Sequence, residues 1–269
     1  LNTTFTDNSA FYGQGFASGV ITLTGTTKNI LIDVSAQTEN NTRIHIPLYT
    51  EEQIEESDFI RFINNQDQEE EVFNPFEQEE TEEYQVDFTG IELNMDLEVS
   101  PNAEIQLIFD PAIGDIIKGR GNGTINMEIT SFGDFNMYGN YIIESGEYLF
   151  SLEDVINKRF NVEQGSQITW NGNPYNAILD IKAIYRLRTS LYELVYGITD
   201  APERYKNKRL PIECQLLLTD RLANPTINFD IILPNAEEET RIDFRNALNK
   251  GISTGTRNDD RIIKQFLAL

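Results

Sequence analysis

Between Ile91 and Val99 every second residue is apolar: Ile91, Leu93, Met95, Leu97 and Val99 alternate with Glu92, Asn94, Asp96 and Glu98. A period of two puts the first set on one face of an extended strand and the second on the other. The same alternation returns in Ile105, Leu107 and Phe109, and in Ile125, Met127 and Ile129. It continues in Leu179, Ile181, Ala183, Tyr185 and Leu187, in Ile212, Cys214, Leu216 and Leu218, and in Ile227, Phe229, Ile231 and Leu233. These segments predict half-buried strands. Looser versions at Val20 to Leu23, Ile30 to Val34 and Arg43 to Leu48 predict three more. No other feature constrains the chain as strongly, because a sheet with one apolar face must bury it against another layer or by curling on itself.

Turn signals fall between the strands: Asp110-Pro111, Gly121-Asn122-Gly123, Glu144-Ser145-Gly146-Glu147, Asn171-Gly172-Asn173-Pro174 and Asn224-Pro225. Short connections predict a long antiparallel meander in an all-β protein. Helix is expected only over 51 to 63, over 236 to 250 and in an amphipathic tail, Arg261 to Leu269. The stretch 64 to 84 is too polar to offset the entropy of ordering and reads as a loop. The expected organisation is a strand region over 1–50, an acidic insertion over 51–84, a β domain over 85–234 and a helical segment over 235–269.

The charge balance removes whole classes of function. The formal charge is −23, and residues 51 to 84 contribute 14 acids against the single cation Arg61. Such a surface repels nucleic-acid phosphates, so no nucleic-acid partner is expected. The one cysteine, Cys214, has no partner for an internal disulfide. No window approaches the roughly 18 apolar residues of a membrane-crossing helix, and the first residues carry no export-signal pattern.

Chemistry is equally restricted. The one histidine, His45, lies between Ile44 and Ile46 and reads as an ordinary strand residue, which leaves no base for a Ser-His-Asp or Cys-His site. One Cys and one His are too few for a zinc site. Paired acids of the glycosidase kind are the enzymatic alternative, but nearly every acid within a strand falls on the polar side of its alternation. Gly119-Arg120-Gly121-Asn122-Gly123 is followed by a strand and not by the helix a phosphate-binding loop requires, so it reads as a tight turn. The basic run Arg204, Lys206, Lys208 and Arg209 reads as a solvated loop, with anionic headgroups or an acidic partner as the alternative. No enzyme activity, cofactor or metal is expected. Met95, Met127 and Met137, set among many aromatics, suit an adaptable apolar lining.

The run from Lys118 through Gly121-Asn122-Gly123-Thr124-Ile125-Asn126-Met127-Glu128-Ile129 to Gly133-Asp134-Phe135-Asn136-Met137-Tyr138-Gly139-Asn140-Tyr141 and Glu144-Ser145-Gly146-Glu147-Tyr148-Leu149-Phe150 resembles the C-terminal domain of the TamB family. Lys158-Arg159-Phe160, Gly165-Ser166-Gln167-Ile168-Thr169-Trp170-Asn171-Gly172-Asn173-Pro174-Tyr175 and the strands from Leu210 to Ile231 extend the resemblance. It is good from about Ile91 to Pro234 and weaker over 11 to 48, and the acidic stretch 51 to 84 departs from the pattern.

The resemblance implies a sheet folded into an open apolar trough, the β-taco. It also implies a place in the bacterial envelope, at the periplasmic face near the outer membrane with an inner-membrane anchor upstream. Its implied partners are phospholipid, passing between the two membranes, and a TamA-type outer-membrane barrel. The runner-up role is that of an adaptor for outer-membrane protein assembly. By the alternation, the expected trough lining is Leu93, Met95, Leu97, Leu107, Ile125, Met127, Ile129, Ile181, Tyr185, Leu216, Phe229 and Ile231. Ile263, Phe266 and Leu267 are the expected docking residues for the barrel.

Overall fold

The computed structural model describes residues 2–7, 11–26, 29–48, 90–110, 115–132, 134–152, 156–192, 205–207 and 209–250. Its strands are β1 Asn2–Thr3, β2 Tyr12–Gln14, β3 Ala17–Thr26, β4 Asn29–Thr38, β5 Arg43–Pro47, β6 Ile91–Val99 and β7 Glu104–Asp110. They continue as β8 Asp115–Ile129, β9 Phe135–Leu152, β10 Ile156–Val162, β11 Gln167–Gly172, β12 Ile178–Ser190, β13 Arg209–Arg221 and β14 Asn224–Ile232. A single 3-10 turn, Pro174–Asn176, and one helix, α1 Glu238–Lys250, complete the described elements. All 14 strands form one sheet, the all-β class that the alternation predicts. The helices expected at 51–63 and 261–269, the loop 64–84 and the docking residues Ile263, Phe266 and Leu267 lie outside the described residues.

The strands are longer than their labels. β6 leads directly into β7 alongside the continuous β8, and β10 into β11 alongside the continuous β9, while β4 leads into β5 alongside β6 and β7. The interruptions align across the sheet. Ser100 N donates to Thr38 Oγ1 at 2.8 Å and Ser100 Oγ to the Thr38 carbonyl at 3.0 Å. Phe16 N donates to Thr42 Oγ1 at 3.0 Å, and Lys182 N donates to Ser166 Oγ at 3.1 Å. Between β8 and β9 the same line is a bulge: Arg120 faces Ser145, but Gly121 faces Ile143, leaving Glu144 as the extra residue.

Extra residues bend a strand and sharpen its twist, so a line of them creases the sheet. The bulge also switches parity on β9. Tyr141 and Ile143 face inward before it, and Tyr148 and Phe150 after it, so all four remain buried.

Two expected turns are therefore corrected. Gly121-Asn122-Gly123 lies inside β8 and Glu144-Ser145-Gly146-Glu147 inside β9. The glycines serve close approach, not chain reversal: a Cβ at Gly121 would collide with the carbonyl oxygen of Ile142. Gly121→Ala is expected to destabilise the fold by about 1–3 kcal/mol through overpacking, read from a urea unfolding curve. An unchanged midpoint would show that the crease tolerates a side chain.

The meander also needs correction. β4 pairs with β6, and β5 with β7, in parallel, at a constant offset of 61 residues from Ile30↔Ile91 to Pro47↔Ile108. Parallel neighbours need a long crossover, and the chain between Leu48 and Gly90 supplies one. The other pairs are antiparallel.

Phe150 on β9 and Phe229 on β14 show that the sheet curls. Four strand steps separate β9 from β14, about 19 Å in a flat sheet at about 4.8 Å per step. Their ring centroids are 5.4 Å apart. Phe160 is T-shaped against Phe150 at 6.2 Å and tilted against Tyr148 and Tyr185 at 6.4 and 6.0 Å. On this side of the crease the apolar face closes on itself and is filled by rings. Helix α1 docks there, with Phe244 buried in the same cluster and the Tyr205 hydroxyl donating to Asp243 Oδ2 at 2.7 Å.

Candidate functional site

On the other side of the crease the apolar face stays open. The ladder sets the side chains in cross-strand rows: Trp170–Gly139–Ile125–Leu97–Ala36, then Met137–Met127–Met95–Val34–Ile21, then Phe135–Ile129–Leu93–Ile32–Leu23. The second row contains all three methionines of the chain as direct neighbours. Unbranched thioethers adapt to irregular apolar shapes, so this row is the most deformable part of the surface.

Exposure rises along these rows toward β3. Ile125 and Trp170 are buried, Leu97, Met127 and Met95 are half-buried, and Ile21 and Leu23 are 65% and 67% exposed.

All twelve expected lining residues fall on this one face of the sheet, but in two environments. Leu107, Ile125, Ile181, Leu216 and Ile231 are buried, Leu216 fully. Tyr185 and Phe229 are half-buried and belong to the ring cluster of the closed side. Leu93, Met95, Leu97, Met127 and Ile129 are half-buried on the open side. Sequence reasoning missed Ile32, Val34 and Phe135, which continue the same rows, as does Met137, which the sequence singled out with the other two methionines. In β4 the uninterrupted apolar run Ile30-Leu31-Ile32 hides the period of two.

The opposite face is polar. Its ion pairs join neighbouring strands: Arg43 and Arg120 both reach Glu104, at 3.0 and 3.3 Å, and Arg186 reaches Glu213 at 2.8 Å. A cleft lies here, at the crease, lined by Arg43, His45, Glu104 and Arg120 among others. His45 stacks on Tyr12 with ring centroids 4.8 Å apart; partial burial and the nearby Arg43 hold its pKa below the usual histidine value. It is a strand residue, as its alternation predicts. Among the described residues no group of His, Cys, Asp or Glu is arranged to hold a metal ion.

Cys214 faces inward between Tyr185 and Ile231, and burial pushes its thiol pKa up to about 12. A neutral, enclosed thiol is inert. It is expected to ignore a thiol-reactive disulfide reagent at pH 8 in the native chain and to react fully in denaturant. Because the folded pKa is raised, this thiol's contribution to stability is complete below the unfolded value near 9 and declines as pH climbs from there toward 12.

A sheet of long strands creased along one line, apolar inside and open on one side, is the shape that the sequence resemblance implies. The family model for the TamB C-terminal domain matches residues 1–261. The chain belongs to the TamB family. This is a family of the bacterial envelope, associated with the translocation and assembly module and its TamA partner. No curated protein matches the chain. Among the described residues no helix is long and apolar enough to cross a membrane.

Proposed function

We propose that this TamB domain carries phospholipid between membranes, with acyl chains lying along the open apolar rows and headgroups in water. The observation that carries the reading is the methionine row Met95–Met127–Met137 on the half-buried, open side of the crease. A compact core has no need of an open, deformable lining, whereas mixed acyl chains do. The energetic logic is simple. Each methylene exposed to water costs about 0.8 kcal/mol, so a 16-carbon chain costs on the order of 12 kcal/mol. A continuous apolar surface removes most of that barrier without any bond being broken. Direction has to come from elsewhere, since the sequence carries no nucleotide-binding motif. Membership of the family supports a position at the periplasmic face of the outer membrane, beside a TamA-type barrel, as part of the same proposal.

A second reading has its own observation. β3 is a ten-residue strand that pairs, among the described residues, only with β4; it bears no charge, and Val20, Ile21 and Leu23 are exposed. Such an edge is a template for strand addition and fits an adaptor that guides outer-membrane strands.

Vesicle extraction separates the two. Delipidated chain incubated with vesicles carrying an acyl-labelled phospholipid is expected to retain label after re-isolation, with emission shifted toward that of an apolar solvent. Chain that emerges free of lipid at every ratio contradicts the carrier reading and leaves the adaptor.

A further inference from the structure

The open rows have unlike ends. At the outer end stands β3, where Ile21 and Leu23 are exposed and no residue carries a charge. At the inner end stands Trp170 on β11, buried and in register with Gly139. Beyond Trp170 the chain turns. The 3-10 turn Pro174–Asn176 packs against β11 and β9. Ala177, which follows it, is fully buried, and its carbonyl accepts from Leu222 N at 2.8 Å. The row Trp170–Gly139–Ile125–Leu97–Ala36–Gly19 is therefore walled at one end and open at the other.

The wall is bare on the side that meets the rows. Gly139 lies across from Trp170, and Gly172 lies two residues along β11 on the same face, in register with Met137. Neither has a side chain to stand between the indole and the methionines. A Cβ at Gly172 would meet nothing within 4 Å, so that end of the methionine row is unfilled.

The dimensions suit one acyl chain. From β11 through β9, β8, β6 and β4 to β3 is five strand steps, about 24 Å at about 4.8 Å per step. One acyl layer of a bilayer, half its hydrocarbon core, is about 15 Å deep. A chain that starts at Trp170 thus ends within reach of β3. The phosphodiester has to stay in water, and β3 is an exposed rim with no acid to repel it. The acids of the next two strands, Asp33, Glu92, Asp96 and Glu98, lie on the polar face.

We propose that Trp170 is the inner stop of the lipid path, with the acyl chain lying across the strands, its methyl end against the indole and its headgroup at β3. The inference rests on the carrier reading above and gives the bound lipid an orientation.

Trp170 is the only tryptophan, so it reports on its own contact. The delipidated chain is loaded from vesicles of phosphatidylcholine that carries a nitroxide either near the methyl end or near the headgroup end of one acyl chain. It is then re-isolated, its bound lipid is quantified, and its tryptophan emission is read. The methyl-end label is expected to quench most of the Trp170 emission and the headgroup-end label to leave it nearly unchanged. A double variant, Trp170→Phe with Ile21→Trp, moves the reporter to the exposed end of the methionine row. With an unchanged circular-dichroism spectrum, it is expected to reverse the order of quenching. Should that variant not fold, the two labels on the unaltered chain still decide whether the methyl end meets Trp170. Lipid bound with the same order at both positions, or with the headgroup-end label quenching Trp170 the more, overturns the stop and leaves the carrier reading standing. A re-isolated chain without lipid overturns the carrier reading and the stop with it.

Discussion

Phe160→Ala is expected to lower the unfolding free energy of the chain by about 3–5 kcal/mol, the range for removing a fully enclosed aromatic ring. Phe160 is 0% exposed and touches Tyr148, Phe150 and Tyr185 at once. These rings come from two strands, β9 and β12, so the cavity left behind cannot close by the shift of one neighbour. They also hold the curl: Phe150 meets Phe229 only because the sheet turns back on itself. Phe132, 91% exposed in the β8–β9 turn, is the internal control, and its alanine variant is expected within about 0.5 kcal/mol of the parent. Urea unfolding followed by tryptophan fluorescence reads both, since Trp170 is the only tryptophan and is buried. Equal midpoints for the two variants would mean that the aromatic cluster does not hold the closed side together.

Met95→Asp is expected to abolish lipid extraction, by at least about tenfold, while leaving the fold intact. A short carboxylate in the middle of the methionine row cannot reach water by extending along the surface, as a longer charged side chain does. An acyl chain crossing that row would have to lie against an unpaired charge, at a cost of several kcal/mol. The site is half-buried, so the folded protein loses only about 1–2 kcal/mol. Asn94→Asp places the same charge one residue away on the polar face, where Asn94 donates to Asp33 Oδ1 at 3.1 Å, and is expected to extract lipid normally. Ile181 is the wrong position for such a test. At 1% exposure it is enclosed in the core, and Ile181→Arg probes folding and not the lipid path.

The strands and their inward faces were legible because alternation is a local property. A reader of Ile91 to Val99 needs no distant residue to see which side chains share a face. The crease was not legible. At Gly121 and at Glu144 to Glu147 the residues are those of turns, and nothing local distinguishes a turn that reverses the chain from a bulge that lets two long strands continue. The parallel pairing of β4 with β6 was hidden for another reason, since it depends on a crossover from Leu48 to Gly90 whose return point no alternation encodes. The division of the lining into a filled and an open side is a tertiary outcome too: Leu107 and Leu93 look alike in sequence, but one faces the aromatic cluster and the other the open rows. Trp170 stood in a quoted motif, yet its place at the inner end of the rows emerges only from its pairing with Gly139.

The central claim is that the open apolar face, and not the polar one, meets lipid. A photo-crosslinking residue placed at Met127 and, separately, at its outward neighbour Asn126 tests it in living cells. Asn126 donates to Asp96 Oδ1 at 2.8 Å on the polar side, one residue from the methionine row. The account predicts that irradiation captures phospholipid at Met127 and none at Asn126. Phospholipid captured equally at both positions, or capture of a barrel protein and no lipid at Met127, would contradict it.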